Sequence, residues 1–335
     1  MTKSLITGGA GFVGLHLARR LLAAGGEVDL VDDFSRGLRD AELASLEENG
    51  RVRILQRDLR DPDALDDLSD AYAHVFHLAA IVGVARVVRQ PYAVLADSVT
   101  MMRSVVAAAR RQAALERLVF LSTSEVYAGT LAHFTLPFPT PESTPLAVGP
   151  LAEPRTTYML SKMYGEAMCH HADLPFTILR PHNVYGPRMG LAHVIPELLQ
   201  RAHAASPGDS LEVASVDHRR TFCYVGDAVE MIWAAARSPD CAGETLNIGV
   251  DEPEVSIGEL AEMVVETVGT PLEIVALPVT PGSPARRRPD LAKTRALTGI
   301  RPQVGLTAGL RRTYEWYRSH VFEPRKQSPA VVDGA

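Results

Sequence analysis

Residues 5–14 read LITGGAGFVG, and this stretch decides the fold. A short apolar run leads into three spaced glycines, Gly8, Gly11 and Gly14, and a pattern with helical spacing follows immediately, FVGLHLARRLLAA. Glycines between a strand and a helix allow a tight turn, close approach of a pyrophosphate to backbone N–H groups and tight helix–strand packing. The first turn of the helix then faces the anion. Because both the strand and the helix flank the motif, the sequence predicts a dinucleotide-binding turn.

The next candidate strand, EVDLVDD (27–33), ends in two carboxylates. Asp32 follows the glycines at roughly the 20-residue spacing at which an acidic residue holds the hydroxyls of an adenosine ribose. A carboxylate at this position repels a 2′-phosphate, which favours NAD over NADP. The alternative is that Asp32 or Asp33 only caps the turn DDFSRG.

Two later strand ends are expected to complete the cofactor site. Asp58 and Leu59 follow the third candidate strand and could reach the adenine, although a position near a helix N-cap explains Asp58 equally well. The segment FHLAA (76–80) offers small residues where a strand end must let the cofactor pass. The NAD contacts expected from these segments are Gly8, Gly11, Phe12, Val13, Gly14, Asp32, Asp33, Asp58, Leu59, Leu78, Ala79 and Ala80.

Strands and helices alternate through residue 180. Candidate strands (4–8, 27–33, 52–58, 74–80, 117–123 and 176–181) are separated by helical patterns, which include PDALDDL (62–68). This order predicts an α/β fold, a Rossmann-type doubly wound parallel sheet with helices on both faces. After Tyr185 the alternation fades, and helices are expected near 194–205, 226–237, 256–268 and 306–318. A smaller C-terminal substrate-binding lobe is therefore predicted.

The predicted domain division follows from this change of pattern. Residues 1–180 form the NAD-binding domain, to which some later segments return, and 181–322 form mainly the substrate-binding lobe. Residues 323–335 are expected to be a loose tail.

Composition excludes several classes of function. The 335 residues are 46% hydrophobic and 22% charged, with a net charge of −6, so neither nucleic acid nor an anionic membrane is an expected partner. The N-terminus lacks a signal-peptide pattern, and no apolar run approaches the roughly 18–20 residues that span a bilayer. Cys169, Cys223 and Cys241 lie far apart without metal-ligand spacing, so they are expected to pack in a reducing compartment, without a metal. A cytoplasmic protein is expected.

The segment TTYMLSKMYGE places Tyr158 and Lys162 four residues apart on a predicted helix, so both lie on one face. A phenol with its ordinary pKa near 10 is a poor base at neutral pH. A neighbouring ammonium and the positive nicotinamide ring are expected to lower the pKa of Tyr158. After a dinucleotide turn, this pair predicts an acid/base group that touches NAD.

At this point the chain resembles a known family, the extended short-chain dehydrogenase/reductases that act on nucleotide sugars as epimerases, dehydratases and decarboxylases. The resemblance covers residues 3 to 318 and is closest in motif to the UDP-glucuronate decarboxylases. It rests on TGGAGFVG, Asp32, HLAA, STSEVY, Tyr158 with Lys162, RPHNVYGPR, RRTFCYVGD and RRRPD. It implies a tightly bound, recycled NAD, a UDP-linked sugar substrate, and a homodimer formed through helices near 91–112 and 153–173.

The resemblance also implies roles for matched positions. Thr123 corresponds to the hydroxyl residue that binds the reacting sugar hydroxyl, Tyr158 to the acid/base, and Lys162 to the residue that binds the nicotinamide ribose. Asn183 and Arg220 correspond to residues that grip the substrate diphosphate, and a surface charge is the alternative for Arg220. The expected substrate contacts are Val82, Thr123, Asn183, His193, Val194, Arg220 and Arg287, while His218 and Asp227 have weaker claims.

Two stretches depart from the family pattern. DSVTMM (97–102) stands where many relatives carry Asn-Val-x-Gly-Thr, so Ser98 takes the position of the Asn, and Met101 and Met102 those of the Gly-Thr. VYAG replaces the usual Tyr-Gly and moves Gly129 along by one. The helix around Met101 is expected to pack differently, but neither change removes a catalytic group.

The stretch FLSTSEVYAG (120–129) bears on the reaction, because Thr123, Ser124 and Glu125 follow a buried strand. The group shares oxidation at C4, and further residues decide the outcome. A 4-epimerase needs nothing more, a 4,6-dehydratase commonly carries Asp-Glu here and sometimes Ser-Glu, and a decarboxylase resembles Thr-Ser-Glu-Val-Tyr. Glu125 is interpreted as catalytic at C5 or C6, with a salt bridge to a neighbouring loop as the alternative.

The arginines in SPARRRPDLAKTR (283–295) give a second indication. UDP-glucuronate decarboxylases resemble this stretch with an Arg-(Arg/Lys)-Pro pattern whose first arginine matches Arg287, and a guanidinium could pair with a carboxylate or an enolate. A solvated basic turn, or a grip on diphosphate alone, is the alternative. The interpretation is an NAD-dependent UDP-glucuronate decarboxylase acting through a 4-keto sugar, with a 4-epimerase (of UDP-glucose/galactose or UDP-glucuronate) and then a 4,6-dehydratase as alternatives. The expected catalytic residues are Thr123, Ser124, Glu125, Tyr158, Lys162 and Arg287.

Overall fold

The structure, a computed structural model, describes residues 1–280 and 282–323. Its strands are β1 (Lys3–Thr7), β2 (Glu27–Asp32), β3 (Val52–Gln56), β4 (His74–His77), β5 (Arg117–Leu121), β6 (Phe176–Pro181), β7 (Val184–Tyr185), β8 (Ser210–Ala214), β9 (Arg219–Arg220), β10 (Cys223–Tyr224), β11 (Glu244–Ile248), β12 (Val255–Ser256), β13 (Glu273–Leu277) and β14 (Arg286–Arg287). Its α-helices are α1 (Phe12–Ala23), α2 (Ala41–Glu47), α3 (Val84–Arg89), α4 (Pro91–Arg110), α5 (Ala128–His133), α6 (Pro154–His170), α7 (Val194–Ala204), α8 (Val225–Arg237), α9 (Ile257–Val268), α10 (Ala292–Thr298) and α11 (Leu306–Tyr317). Single turns of 3₁₀ helix cover Ser124–Tyr127 and Pro239–Cys241, and a π-helical turn covers Arg318–Phe322.

Seven parallel strands form the central sheet, in the order β3-β2-β1-β4-β5-β6-β11. The chain runs outward from β1 to β3 and then crosses to β4 on the other side of β1, where Thr7 lies beside both Val31 and His77. The carboxyl ends of β1 and β4 therefore flank a crevice at the point where the strand order reverses, the usual ligand site of such sheets. The predicted Rossmann-type doubly wound sheet is confirmed.

Helices cover both faces of the sheet because its strands are apolar on both sides. Leu5 packs into one core with α4, while its neighbour Ile6 packs into the other with α1 and α8. The side chains of Leu5 and Ile6 are both fully buried, and burying each contributes about 1.5–3 kcal/mol relative to exposure. The crevice thus lies on a rigid base.

A third core lies in the C-terminal half, where α7, α9 and α11 meet around Leu199, Leu260 and Leu310. Beside it, β9 runs between β12 and β14, and its parallel pairing with β14 places Arg220 next to Arg287. The chain also returns to the first half, because β11 adds to the edge of the central sheet beside β6.

Two sequence expectations about helices were wrong. Residues 62–68 form successive turns rather than a helix, because Ala64 and Asp66 bond to carbonyls only three residues back and the Asp61 side chain accepts the Asp63 N–H.

The expectation of no long apolar run was also too strict. Helix α4, alone among the described residues, is long and apolar enough by length and composition to cross a membrane. It packs instead between α6 and the sheet.

The helices expected in the second half of the chain are present, whereas the division at residue 180 stays a prediction. The four helices expected after Tyr185 are α7, α8, α9 and α11. All three cysteines are buried and unpaired by disulfides. The expected tail at 323–335 lies outside the described residues, apart from Glu323.

Candidate active site

The glycine turn between β1 and α1 lies at the crevice and leaves no room for side chains. Gly8 has a φ of 72°, in the left-handed region that favours glycine, and a Cβ there would lie 2.7 Å from the backbone nitrogen of Ala79. A Cβ on Gly14 would lie 2.4 Å from the Gly8 carbonyl oxygen. The first amides of α1 therefore stay accessible to an anion.

A cavity of about 540 Å³ opens at these strand ends. This volume lies within the range of sites for small molecules and cofactors. Together with the glycine turn, the cavity fits a dinucleotide. Its wall includes all the NAD contacts expected from the first four strand ends: Gly8, Gly11, Phe12, Val13, Gly14, Asp32, Asp33, Asp58, Leu59, Leu78, Ala79 and Ala80.

The surroundings of Asp32 and Asp33 bear on the two roles that the sequence left open, ribose binding and turn capping. The Asp32 carboxylate is 9% exposed and accepts the N–H groups of Ala10 (3.1 Å) and Phe34 (2.9 Å). Burial raises the pKa of Asp32, although both hydrogen bonds oppose this. Each oxygen keeps a free lone pair for a ribose hydroxyl, so turn capping and ribose binding are compatible. Asp33 is exposed and accepts only the Ser35 N–H (2.9 Å).

Asp58 reaches the cavity wall with its carboxylate already engaged. Arg60 donates to it from Nη2 (2.6 Å) and from its backbone N–H (2.9 Å). The side-chain hydrogen bond from Arg60 holds the pKa of Asp58 below its usual range. Arg60 therefore occupies this carboxylate within a local turn, and the helix N-cap offered as the alternative is wrong, because the described residues directly after Asp58 form no helix. The contact of Asp58 with adenine stays a prediction.

Helix α6 brings Tyr158 against the end of β5. The Thr123 side chain lies close enough to the Tyr158 phenol to lower the pKa of Tyr158, and Thr123 Oγ1 accepts the Glu125 N–H (3.2 Å). Burial raises the pKa of Tyr158 to about 12, and the nearby Glu125 carboxylate acts in the same direction. The two residues that the sequence assigns to the sugar 4-hydroxyl thus lie close together.

Lys162 lies one turn further along α6 and faces inward. Its ammonium donates to the Leu121 carbonyl (2.7 Å) and lies 4.9 Å from the centroid of the Phe120 ring. Burial lowers the pKa of Lys162 to about 8. The expected lowering of the Tyr158 pKa by Lys162 is absent in the protein alone, because desolvation of the phenol dominates. Neither Tyr158 nor Lys162 belongs to the wall of the large cavity.

Glu125 and Arg287, both interpreted as catalytic, form an ion pair across the two halves of the chain. Arg287 Nη2 donates to Glu125 Oε1 at 2.8 Å. The Arg287 charge holds the pKa of Glu125 below its usual range. The Glu125 side chain is 33% exposed. A salt bridge was the alternative interpretation of Glu125, and its partner is Arg287, which is itself a predicted catalytic residue.

Further guanidinium groups lie around this pair. Arg220 is 8% exposed and donates to the Ser283 hydroxyl (3.3 Å) and the Pro284 carbonyl, so it is not a solvated surface charge. Burial lowers the pKa of Arg220 to about 10, and Arg287 adds to this. Arg155 and Arg220 both lower the pKa of Glu125. Glu125 thus pairs with Arg287 and lies in the field of two further guanidinium groups, so these four side chains carry an excess of positive charge.

Ser124 lines a second, much smaller cavity of about 20 Å³ next to Arg287. His182 contributes to its wall, and burial lowers the pKa of His182 to about 3. Within the described residues, His182 Nδ1 is buried without a hydrogen-bond partner. A cavity of this size holds about one water molecule.

A buried polar network fixes the turn that carries Ser124 and Glu125. The Tyr127 hydroxyl accepts from Arg180 (2.8 Å) and donates to Asn247 Oδ1 (3.1 Å). Arg180 pairs in turn with Glu166 of α6 (2.6 Å). The turn is therefore tied to α6, β6 and β11 at once.

The other predicted substrate contacts are scattered. Val82 and exposed His193 line the large cavity, and Asn183 donates its amide to the Thr221 carbonyl (2.9 Å). Val194 packs against the C-terminal core instead of the cavity, because it begins α7 on that helix's apolar face. His218 contacts Ser283 (3.2 Å). The Asp227 carboxylate accepts the N–H groups of Gln303 and Val304, so it ties α8 to the segment before α11 and does not cap its own helix.

Sequence reasoning missed three arginines at the site. Arg36 reaches across the cavity mouth and donates to the Val82 carbonyl (2.8 Å), and nothing in the turn DDFSRG indicated this. Arg155 lies one helical turn before Tyr158, a spacing that could have suggested it. Arg188 lies in the motif RPHNVYGPR, but the sequence did not indicate a role for this residue.

Both departures from the family pattern have local explanations. Met101 lines the large cavity and Met102 is buried in the core beside it, while Ser98 donates to the Val94 carbonyl (2.6 Å). A Cβ on Gly129 would lie 1.9 Å from the Ala147 carbonyl oxygen, so glycine is required there. Residues 1–280 and 282–323 contain no group of three or more His, Cys, Asp or Glu side chains that could hold a metal.

Comparison with known proteins identifies relatives of this arrangement. Residues 4–249 match the NAD dependent epimerase/dehydratase family. A UDP-N-acetyl-alpha-D-glucosaminuronate decarboxylase of Bacillus cytotoxicus is 33% identical over 94% of this chain and 98% of its own length. UDP-glucuronic acid decarboxylase 1 of Arabidopsis thaliana is 30% identical over 96% of this chain and 71% of its own. The crystal structure of a Bacillus cereus UDP-glucuronic acid 4-epimerase, solved with UDP-glucuronic acid and NAD, is 27% identical, covers 95% of this chain and 99% of its own, and gives a TM-score of 0.78.

Proposed function

The chain belongs to the NAD-dependent epimerase/dehydratase family, and from that premise we propose that it decarboxylates a UDP-hexuronate through a 4-keto sugar. It is an NAD-dependent enzyme, and its glycine turn, Asp32 and large cavity fit that cofactor. When bound, NAD accepts the hydrogen of C4 as hydride, which turns the 4-hydroxyl into a ketone, and can later return it. We propose that NAD stays tightly bound and is recycled in this way.

Tyr158 and Thr123 act on the sugar 4-hydroxyl in this proposal. Thr123 accepts or donates a hydrogen bond at O4, and Tyr158 removes the O4 proton while the C4–H bond breaks. Lys162 holds the nicotinamide ribose in this proposal. The influence of Thr123 on the pKa of Tyr158 supports this assignment, because it places the two side chains near enough for one sugar hydroxyl to bridge them.

The Glu125–Arg287 pair is the feature that favours decarboxylation over epimerisation and dehydration. A 4-keto uronate is a β-keto acid, so its C5–C6 bond can break with loss of carbon dioxide while the electron pair moves to O4 as an enolate. C5 then takes up a proton from solvent water, which replaces the carbon dioxide that leaves. Arg287 and Arg220 supply the positive charge that a C6 carboxylate needs on entering the site, and Ser124 lies beside Arg287. A neutral 6-hydroxyl would gain nothing from this excess of guanidinium groups.

Two relatives bear on the substrate. One decarboxylates an N-acetylated UDP-glucosaminuronate and the other UDP-glucuronic acid, and both cover more than nine-tenths of this chain. The shared chemistry is a UDP-linked sugar with a carboxylate at C6. We propose UDP-glucuronate as the first substrate to test and its 2-N-acetylamino analogue as the second.

The test is incubation of the purified protein with each UDP-hexuronate and NAD, followed by mass spectrometry of the products. Loss of carbon dioxide is expected, and it should disappear in Glu125→Gln while enzyme-bound NADH still forms. Glu254→Gln is the matched control. Glu254 pairs at 2.7 Å with Arg286, which precedes Arg287 in β14. If Glu254→Gln abolishes decarboxylation equally, the assignment to Glu125 fails.

A 4-epimerase is the second candidate, favoured by the Bacillus cereus structure that carries UDP-glucuronic acid and NAD. An unchanged mass with inversion at C4 would establish it and overturn decarboxylation. Loss of water instead would indicate a dehydratase.

We also propose a cytoplasmic homodimer. Exposed apolar side chains on the outer surfaces of α3, α4 and α6 support this, since Val88, Tyr92 and Tyr164 are 49%, 83% and 52% exposed in one chain. Light scattering should give twice the chain mass, and Tyr92→Glu with Tyr164→Glu should give the single mass. The predicted division at residue 180 stays a proposal of the same kind.

A further inference from the structure

We infer that Arg188, contributed by the loop after β7, positions the glycine turn for the cofactor's pyrophosphate. The residue has no role in the proposed sugar chemistry. The inference rests on the NAD-binding function of the family and not on the choice of decarboxylation.

The Arg188 guanidinium contacts two loops from the first 40 residues. Its Nη1 donates to the carbonyls of Ala10 (2.7 Å) and Gly11 (3.3 Å). Its Nη2 donates to the Leu38 carbonyl (2.9 Å), and the Asp40 carboxylate accepts from Nε at 2.6 Å. The side chain is 1% exposed, so every donor is directed at the protein rather than at water.

These contacts act on the backbone that must bind the phosphates. The peptide that carries the Gly11 carbonyl also carries the Phe12 N–H, and a trans planar peptide points these two groups in opposite directions. The Gly11 carbonyl also accepts the Leu15 N–H (3.1 Å), so Arg188 adds a second donor that holds this peptide and, with it, the direction of an N–H that has no partner within the helix. An amide fixed in advance loses less freedom when an anion arrives.

Arg188 belongs to a part of the chain far from the glycine turn that it contacts. The residue lies in the segment between β7 and α7, which also carries His193 on the cavity wall, and has a φ of 68°. Asp40 remains ionised beside it, because Arg188 holds the pKa of Asp40 below its usual range. The substrate side of the molecule therefore supplies a buried cation to the cofactor side.

The experiment measures nucleotide binding by calorimetry on protein freed of NAD. For Arg188→Met, the Kd for ADP should rise by about tenfold or more, with a smaller rise for AMP, which lacks the second phosphate. The ratio of the AMP Kd to the ADP Kd should therefore fall. Arg188→Lys, which keeps the charge and one donor direction, should restore part of that ratio.

Arg117→Met is the matched control for loss of a buried arginine. Arg117 is 5% exposed and donates to the Ser238 carbonyl (3.0 Å) at the opposite end of the strands. It should change the melting temperature without changing the AMP-to-ADP ratio. Equal weakening of both nucleotides in Arg188→Met, or no change in either, would overturn the inference.

A variant with a milder change covers the case in which Arg188→Met does not fold. Asp40→Asn leaves the guanidinium in place but removes the charge that anchors it, so it should lower the same ratio by a smaller factor. A ratio equal to that of the unmodified protein would count against Arg188. None of these measurements involves a sugar, so failure of the proposed decarboxylation would leave them unaffected.

Discussion

The phenol of Tyr158 lies in surroundings that oppose the charged form a base must take. Burial and, to a lesser extent, the Glu125 carboxylate raise its pKa to about 12, while Thr123 and Arg36 oppose this rise. The side chains that flank the phenol therefore tune it in opposite directions. A cationic nicotinamide would act in the same direction as Arg36.

These opposing charges make a signed prediction about pH. The rate of C4 oxidation rises with pH as Tyr158 becomes phenolate, so removing the Glu125 charge should move the midpoint to lower pH. Removing the Arg36 charge should move it to higher pH. We expect these shifts in single-turnover NADH formation by Glu125→Gln and Arg36→Gln, with none in Glu254→Gln. Shifts of the same sign in the first two variants would contradict the assignment.

The buried pair of Glu166 and Arg180 should contribute to stability only as a pair. Both side chains are 7% exposed, so Glu166→Gln leaves a guanidinium without its counter-charge and should cost about 3–5 kcal/mol of unfolding free energy. Urea unfolding measures this. Asp67→Asn removes a similar contact to Arg57 at the surface and should cost at most about 1 kcal/mol. Equal costs would show that burial is irrelevant here.

At the scale of elements, the catalytic helix is held close to the sheet by one glycine. A Cβ on Gly165 of α6 would lie 2.4 Å from Phe120 Cζ in β5. Alanine is the better helix former by about 1 kcal/mol, yet the added methyl must push the helix or the ring aside. Tyr158 and Lys162 would move with the helix.

Gly165→Ala should therefore lower stability by about 1–3 kcal/mol and also reduce turnover. Thermal unfolding and single-turnover assays measure the two effects. Gly258→Ala, in α9, is the control, because a Cβ there meets nothing closer than 3.5 Å. It should be neutral or stabilising, and a more stable Gly165→Ala would contradict the packing argument.

Elements with a clear period were predictable, and those set by distant contacts were not. The glycine turn and the six strands of the first half followed from local spacing, whereas residues 62–68 look helical and form turns because aspartates compete for the backbone. Helix α4 begins at Pro91, where a helix near 91–112 was expected, since proline suits a first turn. The Glu125–Arg287 contact joins residues that sequence reasoning named separately, without predicting their pairing.

At the scale of the whole molecule, two buried histidines make stability depend on pH. Burial lowers the pKa of both His77 and His182 to about 3. The unfolded chain binds a proton at each near pH 6.5, while the fold keeps them neutral. Stability is therefore complete above about pH 6.5 and falls as the pH drops toward 3, by about 1.4 kcal/mol per pH unit for each histidine.

Unfolding free energies between pH 7 and pH 4 measure this slope. His77→Gln and His182→Gln should each reduce it, and the double variant should reduce it most. Exposed His133 provides the control, and His133→Gln should leave the slope unchanged. An unchanged slope in the double variant would mean that other groups dominate.

The placement of Arg188 and of β11 lay beyond sequence reasoning for the same reason. Each depends on a contact between residues far apart in the chain, Arg188 with Ala10 and β11 with β6. No spacing pattern records such partners. Arg188 lies in a stretch that was recognised, but the direction of its side chain is a property of the assembled molecule.

The position of β11 has a consequence during synthesis on the ribosome. Strand β6 is complete at Pro181, but the strand that covers its outer edge begins only at Glu244. Until that segment leaves the exit tunnel, the nascent sheet presents an unpaired row of N–H and C=O groups, which other chains can extend. Slow translation between these two points would prolong that exposure, so chaperone demand should depend on how fast this stretch is translated.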